Sequence, residues 1–207
     1  MFGGIINEKG VVLDATLSSN IYKVRITKPK HWKLKNGQSI SIDGICSTVS
    51  SCNAKFFEVQ YVPETRARTT ASLFKKGALV NLEHSITLNT LLDGHIISGH
   101  VDGVATVKVF KKNTHGVLIL NIPSPLMKYI APQGSVAING ASLTVQKSDR
   151  NSITLALIPE TLARTNLHAL RAGSKVNIEV DMLARYALRA TLKTYAKKTL
   201  RKKKSAS

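Results

Sequence analysis

Four small polar side chains, Cys46, Thr48, Ser142 and Thr144, alternate with apolar or small neighbours in the segments GICSTV and NGASLTV. Alternate residues of a strand share a face, so Cys46 goes with Thr48 and Ser142 with Thr144. Taken singly, they read as hydroxyls capping turns and a cysteine acting as a small hydrophobe. Set at equivalent places in two copies of one sequence, as they are here, they read instead as a pair of ligand pockets. A second concentration of chemistry lies in DGHIISGHVDG, where Asp93, His95, His100 and Asp102 fall within ten residues. Two histidines five apart lie on opposite faces of a strand and align poorly on a helix, and cysteine ligands at a matching distance are missing. A hydrogen-bonding or acid–base histidine near a turn fits the segment better than a metal ligand. There is no P-loop, no GxGxxG after a strand, no GxSxG elbow and no HExxH. Cys46 and Cys52 match neither a CxxC pair nor a zinc-ligand spacing and are expected as reduced thiols in a cytosolic protein.

The elements that must position these groups occur twice. SISIDGICSTV from Ser39 matches SVAINGASLTV from Ser135, VPETRART ending at Thr69 matches IPETLART ending at Thr165, and GALVNLE ending at Glu83 matches GSKVNIE ending at Glu179. Each pair is separated by 96 positions (135 − 39, 165 − 69, 179 − 83). Several motifs in one order at one offset mark a duplicated domain. The division is a first unit over residues 1–90, a second over 91–183 and a tail over 184–207, with the joint near SITLNTLLDG. That joint is short and not low-complexity, so close packing of the two units is expected rather than free tethering.

Within each copy, KVRITKP, SISIDGI, FFEVQYV and ALVNLEHSITL, with their partners GVLILNIP, SVAINGASLTV, SITLALIP and KVNIEVDML, carry the alternation of strands. Asp-Gly and Asn-Gly mark tight turns between them. Short, closely spaced strands predict a small barrel or sandwich. Ser124 and Pro125 predict a capped helix over PLMKYI, and Glu64-Thr65 and Glu160-Thr161 open a further helical turn in each copy. From Met182 to about Leu200 there is no Gly or Pro, which predicts a helix with Leu188, Leu192 and Tyr195 along one seam. That seam is expected to bury itself on its own barrel or against identical helices of other chains.

The formal net charge is +18, which raises nucleic acid and anionic surfaces as partners. The basic residues are not interleaved with aromatics as in a stacking platform, and they are densest in KTYAKKTLRKKKSAS. Nucleic-acid recognition is therefore disfavoured. No basic stretch followed by an apolar run marks a secretory signal at MFGGIINEKG, and no run reaches the roughly 18 apolar residues of a membrane helix.

MFGGII, GICSTV, GHIISGHVDG, NGASLTV, the two PET-x-A-R-T segments and NIEVD together resemble riboflavin synthase, in family order and over nearly the whole chain. The resemblance implies an all-β fold of two tandem six-stranded antiparallel Greek-key barrels with a C-terminal α-helix that assembles a homotrimer. It implies transfer of a four-carbon unit between two molecules of 6,7-dimethyl-8-ribityllumazine, giving riboflavin and 5-amino-6-ribitylamino-uracil. No cofactor and no metal are implied; the partners implied are the lumazine, other copies of the chain and lumazine synthase, with no membrane. Carried over by position, Cys46, His100, Ser142 and Asp181 are the catalytic candidates. Phe2, Gly4, Ile5, Ser39, Thr48, Thr65, Gly99, Val101, Thr144 and Thr161 are the substrate-binding ones. The resemblance puts Phe2, Ser39, Cys46 and Thr48 with the first barrel and His100, Ser142, Thr144 and Asp181 with the second. Gly3, Ser47 and Gln133 stand where the family usually has Thr, Leu and Lys. The alternative is a non-catalytic lumazine- or flavin-binding protein of the same fold.

Overall fold

A computed structural model describes residues 1–112 and 116–191. Six strands, β1 (Glu8–Ser18), β2 (Ile21–Thr27), β3 (Ser39–Ile42), β4 (Ile45–Cys52), β5 (Phe56–Tyr61) and β6 (Leu79–His84), close a barrel in the order β1-β2-β5-β4-β3-β6. The second half repeats it with β7 (Gly103–Lys112), β8 (Gly116–Asn121), β9 (Ser135–Ile138), β10 (Ala141–Ser148), β11 (Ser152–Leu157) and β12 (Lys175–Val180). All pairings are antiparallel, and the long connection that sets β5 beside β2 and β11 beside β8 makes each barrel a Greek key. Closure leaves no unpaired sheet edge.

β1 and β7 lacked a clear signal in the sequence. Each is bulged, between Val12 and Asp14 and between Val107 and Val109. A bulge inserts one residue and breaks the two-residue period that marks a strand. α1 (Pro63–Arg68) and α2 (Pro159–Arg164) are the helical turns expected at the PET segments. The segment Ser124–Tyr129 forms a 3-10 helix instead of a capped α-helix; Pro123 takes the cap position, and Ser124 Oγ donates to Asn151 Oδ1 at 3.2 Å. The Ser124 hydroxyl is taken up by Asn151 and not by the backbone N–H groups it was expected to cap, and a run this short, stopped before Pro132, is the setting in which 3-10 turns occur. The C-terminal helix, α3, runs over 182–191 among the described residues. Leu188 lies on it, half-buried, whereas Leu192, Tyr195 and the basic tail lie outside the described residues.

The two barrel cores are built largely from equivalent positions, and at one contacting pair polar residues stand in place of apolar ones. In barrel one Ser47, 3% exposed, hydrogen-bonds the Tyr61 hydroxyl at 2.8 Å and donates to the Ile45 carbonyl at 2.9 Å. The equivalents in barrel two are Leu143 and Leu157. A small and a large side chain thus replace two medium ones, and the added hydroxyls satisfy each other. The departure at Ser47 is compensated at Tyr61.

The barrels meet across a buried polar network. Asn81 N and Asn166 Nδ2 donate to Asp43 Oδ1 at 2.7 and 2.9 Å, and Asn177 N donates to Asn139 Oδ1 at 2.8 Å. Across the joint, Asn81 Nδ2 donates to the Asn139 carbonyl and Asn177 Nδ2 to the Asp43 carbonyl. Burial outweighs these bonds at Asp43 and pushes its carboxyl up to about 7. Close packing of the repeats, expected from the short joint, is here a set of hydrogen bonds between them.

Candidate active site

Each barrel is lined at one point by a strap from the other repeat. Phe2 and Ile97 pair through two backbone hydrogen bonds of 2.8 and 3.0 Å where the straps cross. Beyond the crossing, the chain at Gly4 runs onto barrel two, where Ser142 N donates to Gly4 O at 2.9 Å. The chain at Gly99 runs onto barrel one, where Cys46 N donates to Gly99 O at 2.8 Å. Ile6 accordingly joins the core of barrel two, and Val101 that of barrel one. Gly4 and Gly99 have φ of 75° and 79°, and a Cβ would fall 2.6 Å from the Ser142 Cβ and 2.7 Å from the Cys46 Cβ. Only glycine allows so close an approach in that backbone conformation.

A buried carboxylate holds each strap. Glu83 Oε1 accepts from the backbone N–H of Gly3, Gly4 and Ile5 at 2.8, 2.9 and 3.3 Å. Glu179 accepts from Ser98 N, Ser98 Oγ and Gly99 N at 2.7, 2.6 and 3.0 Å. Gly3 stands at the place of Ser98 and supplies no hydroxyl, and all three strap N–H groups converge on Oε1, which leaves Glu83 Oε2 buried without a hydrogen-bond partner among the described residues. Burial pushes Glu83 up to about 7 despite the three backbone donors. Neither glutamate was singled out in the sequence, although both end the repeated motifs GALVNLE and GSKVNIE.

Two small cavities result. The first, about 190 Å³, is lined by Cys46 of β4, Glu64, Thr65 and Arg68 of α1, and Gly99, His100 and Val101 of the strap. The second, about 180 Å³, is lined by Ser142 of β10, Glu160, Thr161 and Arg164 of α2, and Gly4, Ile5 and Ile6 of the other strap. Matching linings at equivalent positions outweigh size here. A larger groove of about 810 Å³ under the inter-barrel linker holds Asp93 and Glu83 but only Ile5 of the residues carried over by the resemblance.

The structure therefore gathers Cys46, Thr65, Gly99, His100 and Val101 in one pocket and Gly4, Ile5, Ser142 and Thr161 in the other. His100, grouped with the second barrel by the resemblance, lies beside Cys46 on the first. Phe2 is fully buried at the strap crossing, against Ile97, Ala137 and Cys46, and lines neither pocket. Thr48 and Thr144 are exposed on the outward faces of β4 and β10, two residues beyond Cys46 and Ser142. Ser39 pairs with Thr48 across β3 and β4. Asp181 Oδ1 accepts from Leu183 N at 2.9 Å, which caps α3. Gln133 sits in an exposed turn before β9 with φ of 63°, away from both pockets.

The description "Lumazine binding domain" belongs to the family model that matches residues 3–85 and 98–181, each match starting in a strap and ending at the close of a barrel. Riboflavin synthase of Photobacterium phosphoreum is 37% identical, with 93% of this chain and 89% of that protein covered. Riboflavin synthases of Bacillus subtilis (strain 168) and Chlamydia pneumoniae are 34% and 38% identical, covering 96% and 88% of this chain and 94% and 90% of theirs. Among solved structures, LumP complexed with riboflavin superposes with a TM-score of 0.81 at 26% identity, over 87% of this chain and 99% of LumP. With both pockets formed and relatives matched over nearly their full length, the chain belongs to the riboflavin synthase family and carries its lumazine-binding domain twice.

Proposed function

We infer that this protein is a riboflavin synthase acting on two molecules of 6,7-dimethyl-8-ribityllumazine. The observation that carries the reading is the pair of like pockets on one chain, because a dismutation of two identical molecules needs two similar sites. A planar heterocycle with a polyol tail calls for apolar walls and small hydroxyl donors. Val101, Ile6 and the strap backbones provide the walls, and Thr65, Thr161 and Ser142 the hydroxyls. The reaction removes a proton from the acidic ring methyl of one lumazine and adds a nucleophile to the other. We assign proton handling to Cys46, His100, Ser142 and Asp181, with orientation of the two rings contributing as much as acid–base power. Incubation with the lumazine, without added cofactor, should produce flavin absorbance and the uracil. Retention of fluorescent lumazine with no new product would instead establish a binding protein like LumP, the second reading favoured by the structural likeness.

The units proposed are residues 1–90, 91–183 and 184–207, the last a trimerisation helix and tail, in a cytoplasmic homotrimer that associates with lumazine synthase. Cavities of about 190 and 180 Å³ fall below the roughly 300 Å³ at which small-molecule sites begin. Each covers part of a lumazine, which supports a site completed by a neighbouring chain. On this reading the first barrel of one chain faces the second barrel of the next. Cys46→Ala and Ser142→Ala chains, each impaired alone, should recover activity when co-refolded, because some interfaces then pair two intact pockets. Activity no greater than the sum of the parents, with subunit mixing confirmed, would confine catalysis to one chain.

A further inference from the structure

We propose that His95 is a positioning residue of the second pocket: its Nδ1–H donates to Ser142 Oγ, so that the serine's own proton is directed at an acceptor atom of the ligand there. The ligand class rests on the lumazine reading, and the acceptor is a ring carbonyl or ring nitrogen. His95 belongs to the linker between the barrels, and its Nδ1 lies 2.7 Å from Ser142 Oγ. Gly94 makes the approach feasible, since a Cβ there would sit 2.9 Å from the Ser142 Cβ and 3.1 Å from Oγ. The direction of the bond follows from the other ring nitrogen. His95 Nε2 is buried with no hydrogen-bond partner among the described residues. A proton on Nε2 would be a buried, unsatisfied donor, whereas a bare lone pair there costs less. The proton therefore resides on Nδ1, and Ser142 Oγ accepts it.

Burial keeps the imidazole neutral by lowering its pKa, against the opposing pull of the Asp181 carboxylate. The position of Ser142 is fixed by its backbone bond to Gly4, and its side chain lines the cavity of about 180 Å³. With His95 occupying a lone pair, the hydroxyl proton is left for the ligand. The equivalent Cys46 has no such histidine bond among the described residues. The second pocket thus holds a histidine-oriented hydroxyl where the first holds a thiol, which makes two otherwise similar sites chemically distinct.

The test uses the full chain with ¹⁵N-labelled histidine, together with His95→Ala and His95→Asn variants, and 6,7-dimethyl-8-ribityllumazine as the fluorescent probe. NMR of the parent should report the Nδ1–H tautomer at His95. The parent should bind lumazine at two sites per chain. His95→Ala should weaken one of these about tenfold and lower kcat more than it changes KM, the scale of one lost hydrogen bond. Asn places an amide N–H near the former Nδ1 but cannot take up a proton. His95→Asn should therefore restore binding and turnover to within about threefold. An Nε2–H tautomer, an Asn variant as weak as Ala, or two unchanged sites in His95→Ala would each overturn the proposal. If His95→Ala does not fold, the parent tautomer and the Asn variant still decide. A parent that binds lumazine yet forms no riboflavin would sink the enzymatic reading, while tautomer and site-specific binding continue to judge His95.

Discussion

Restoring a hydroxyl at position 3 should stabilise the protein, and more so at high pH. Gly3→Ser would recreate the bond that Ser98 Oγ makes to Glu179 at 2.6 Å. Gly3 does not use the left-handed conformation that needs glycine, and a Cβ there meets Glu83 Oε1 at 3.6 Å, Ile86 at 3.8 Å and Leu92 at 3.8 Å, all ordinary contacts. In the parent, Glu83 is raised from its ordinary 4.5 to about 7. Below pH 4.5 both folded and unfolded states hold the proton. Between 4.5 and 7 the unfolded chain ionises first, so stability falls as pH rises, by about 3 kcal/mol in all. A hydroxyl donor to the carboxylate offsets roughly 1.5–3 kcal/mol of this, and relief of glycine's unfolded-state freedom adds about 0.4–1 kcal/mol. At roughly 2–4 °C per kcal/mol, Gly3→Ser should raise Tm by about 4–16 °C at pH 8 and by only about 1–4 °C at pH 5. Comparing variant with parent at each pH cancels the contribution of Asp43. Thermal unfolding followed by circular dichroism measures both. A rise independent of pH, or none at pH 8, would refute the account of Glu83 as a carboxylate short of a donor.

Ser47→Leu alone should cost about 2–4 kcal/mol, by overpacking barrel one and leaving the Tyr61 hydroxyl without its partner. Adding Tyr61→Leu, which copies Leu143 and Leu157, should bring stability in denaturant back to within about 1.5 kcal/mol of the parent. Asp43→Asn, which copies Asn139, should leave stability near pH 4 unchanged. It should raise stability at pH 8 by up to about 4 kcal/mol, since the charged form of a group raised to about 7 is the one that burial penalises. Urea unfolding at the two pH values tests the sign. Ending the chain after Ala184 removes most of α3 and the Arg185–Asp102 ion pair of 2.6 Å. Sedimentation should then show folded barrels that no longer trimerise; an intact trimer would place assembly elsewhere.

The barrels were legible because their strands repeat a hydrophobic pattern, and legible twice because Ser39–Val49 and Ser135–Val145 repeat each other. β1 and β7 were obscure for a local reason, a bulge in the middle of each, whereas the bulges of β4 and β10 come after the motifs GICSTV and GASLTV have ended. Cys46 and Ser142 stood out as polar positions in apolar strands. Glu83 and Glu179 did not, since a glutamate closing a strand reads as an exposed charge until the fold turns a strap toward it. His95 was visible only as one of two histidines near a turn. Its link to Ser142, 47 positions away, depends on where the linker runs after barrel one closes, and no local pattern encodes that. The Ser47–Tyr61 exchange has the same character: each residue alone looks out of place, and only the β4–β5 packing shows that they answer each other.

The exchanged straps bear on how such a chain came to exist. A lone repeat would hold every strand of a barrel, yet its pocket would lack a wall, because the wall comes from the other repeat. An ancestor with one repeat would therefore have worked as a pair of identical chains, each lending its leading segment to the other. Identical partners impose identical pockets. Once the two copies were joined end to end, the loan became permanent and the halves were free to drift apart. The present sequence records the drift, with Cys46 and His100 on one side facing Ser142 and Ile5 on the other. A reaction that asks different tasks of two copies of one molecule is served by that divergence, which a symmetric pair could not have inherited.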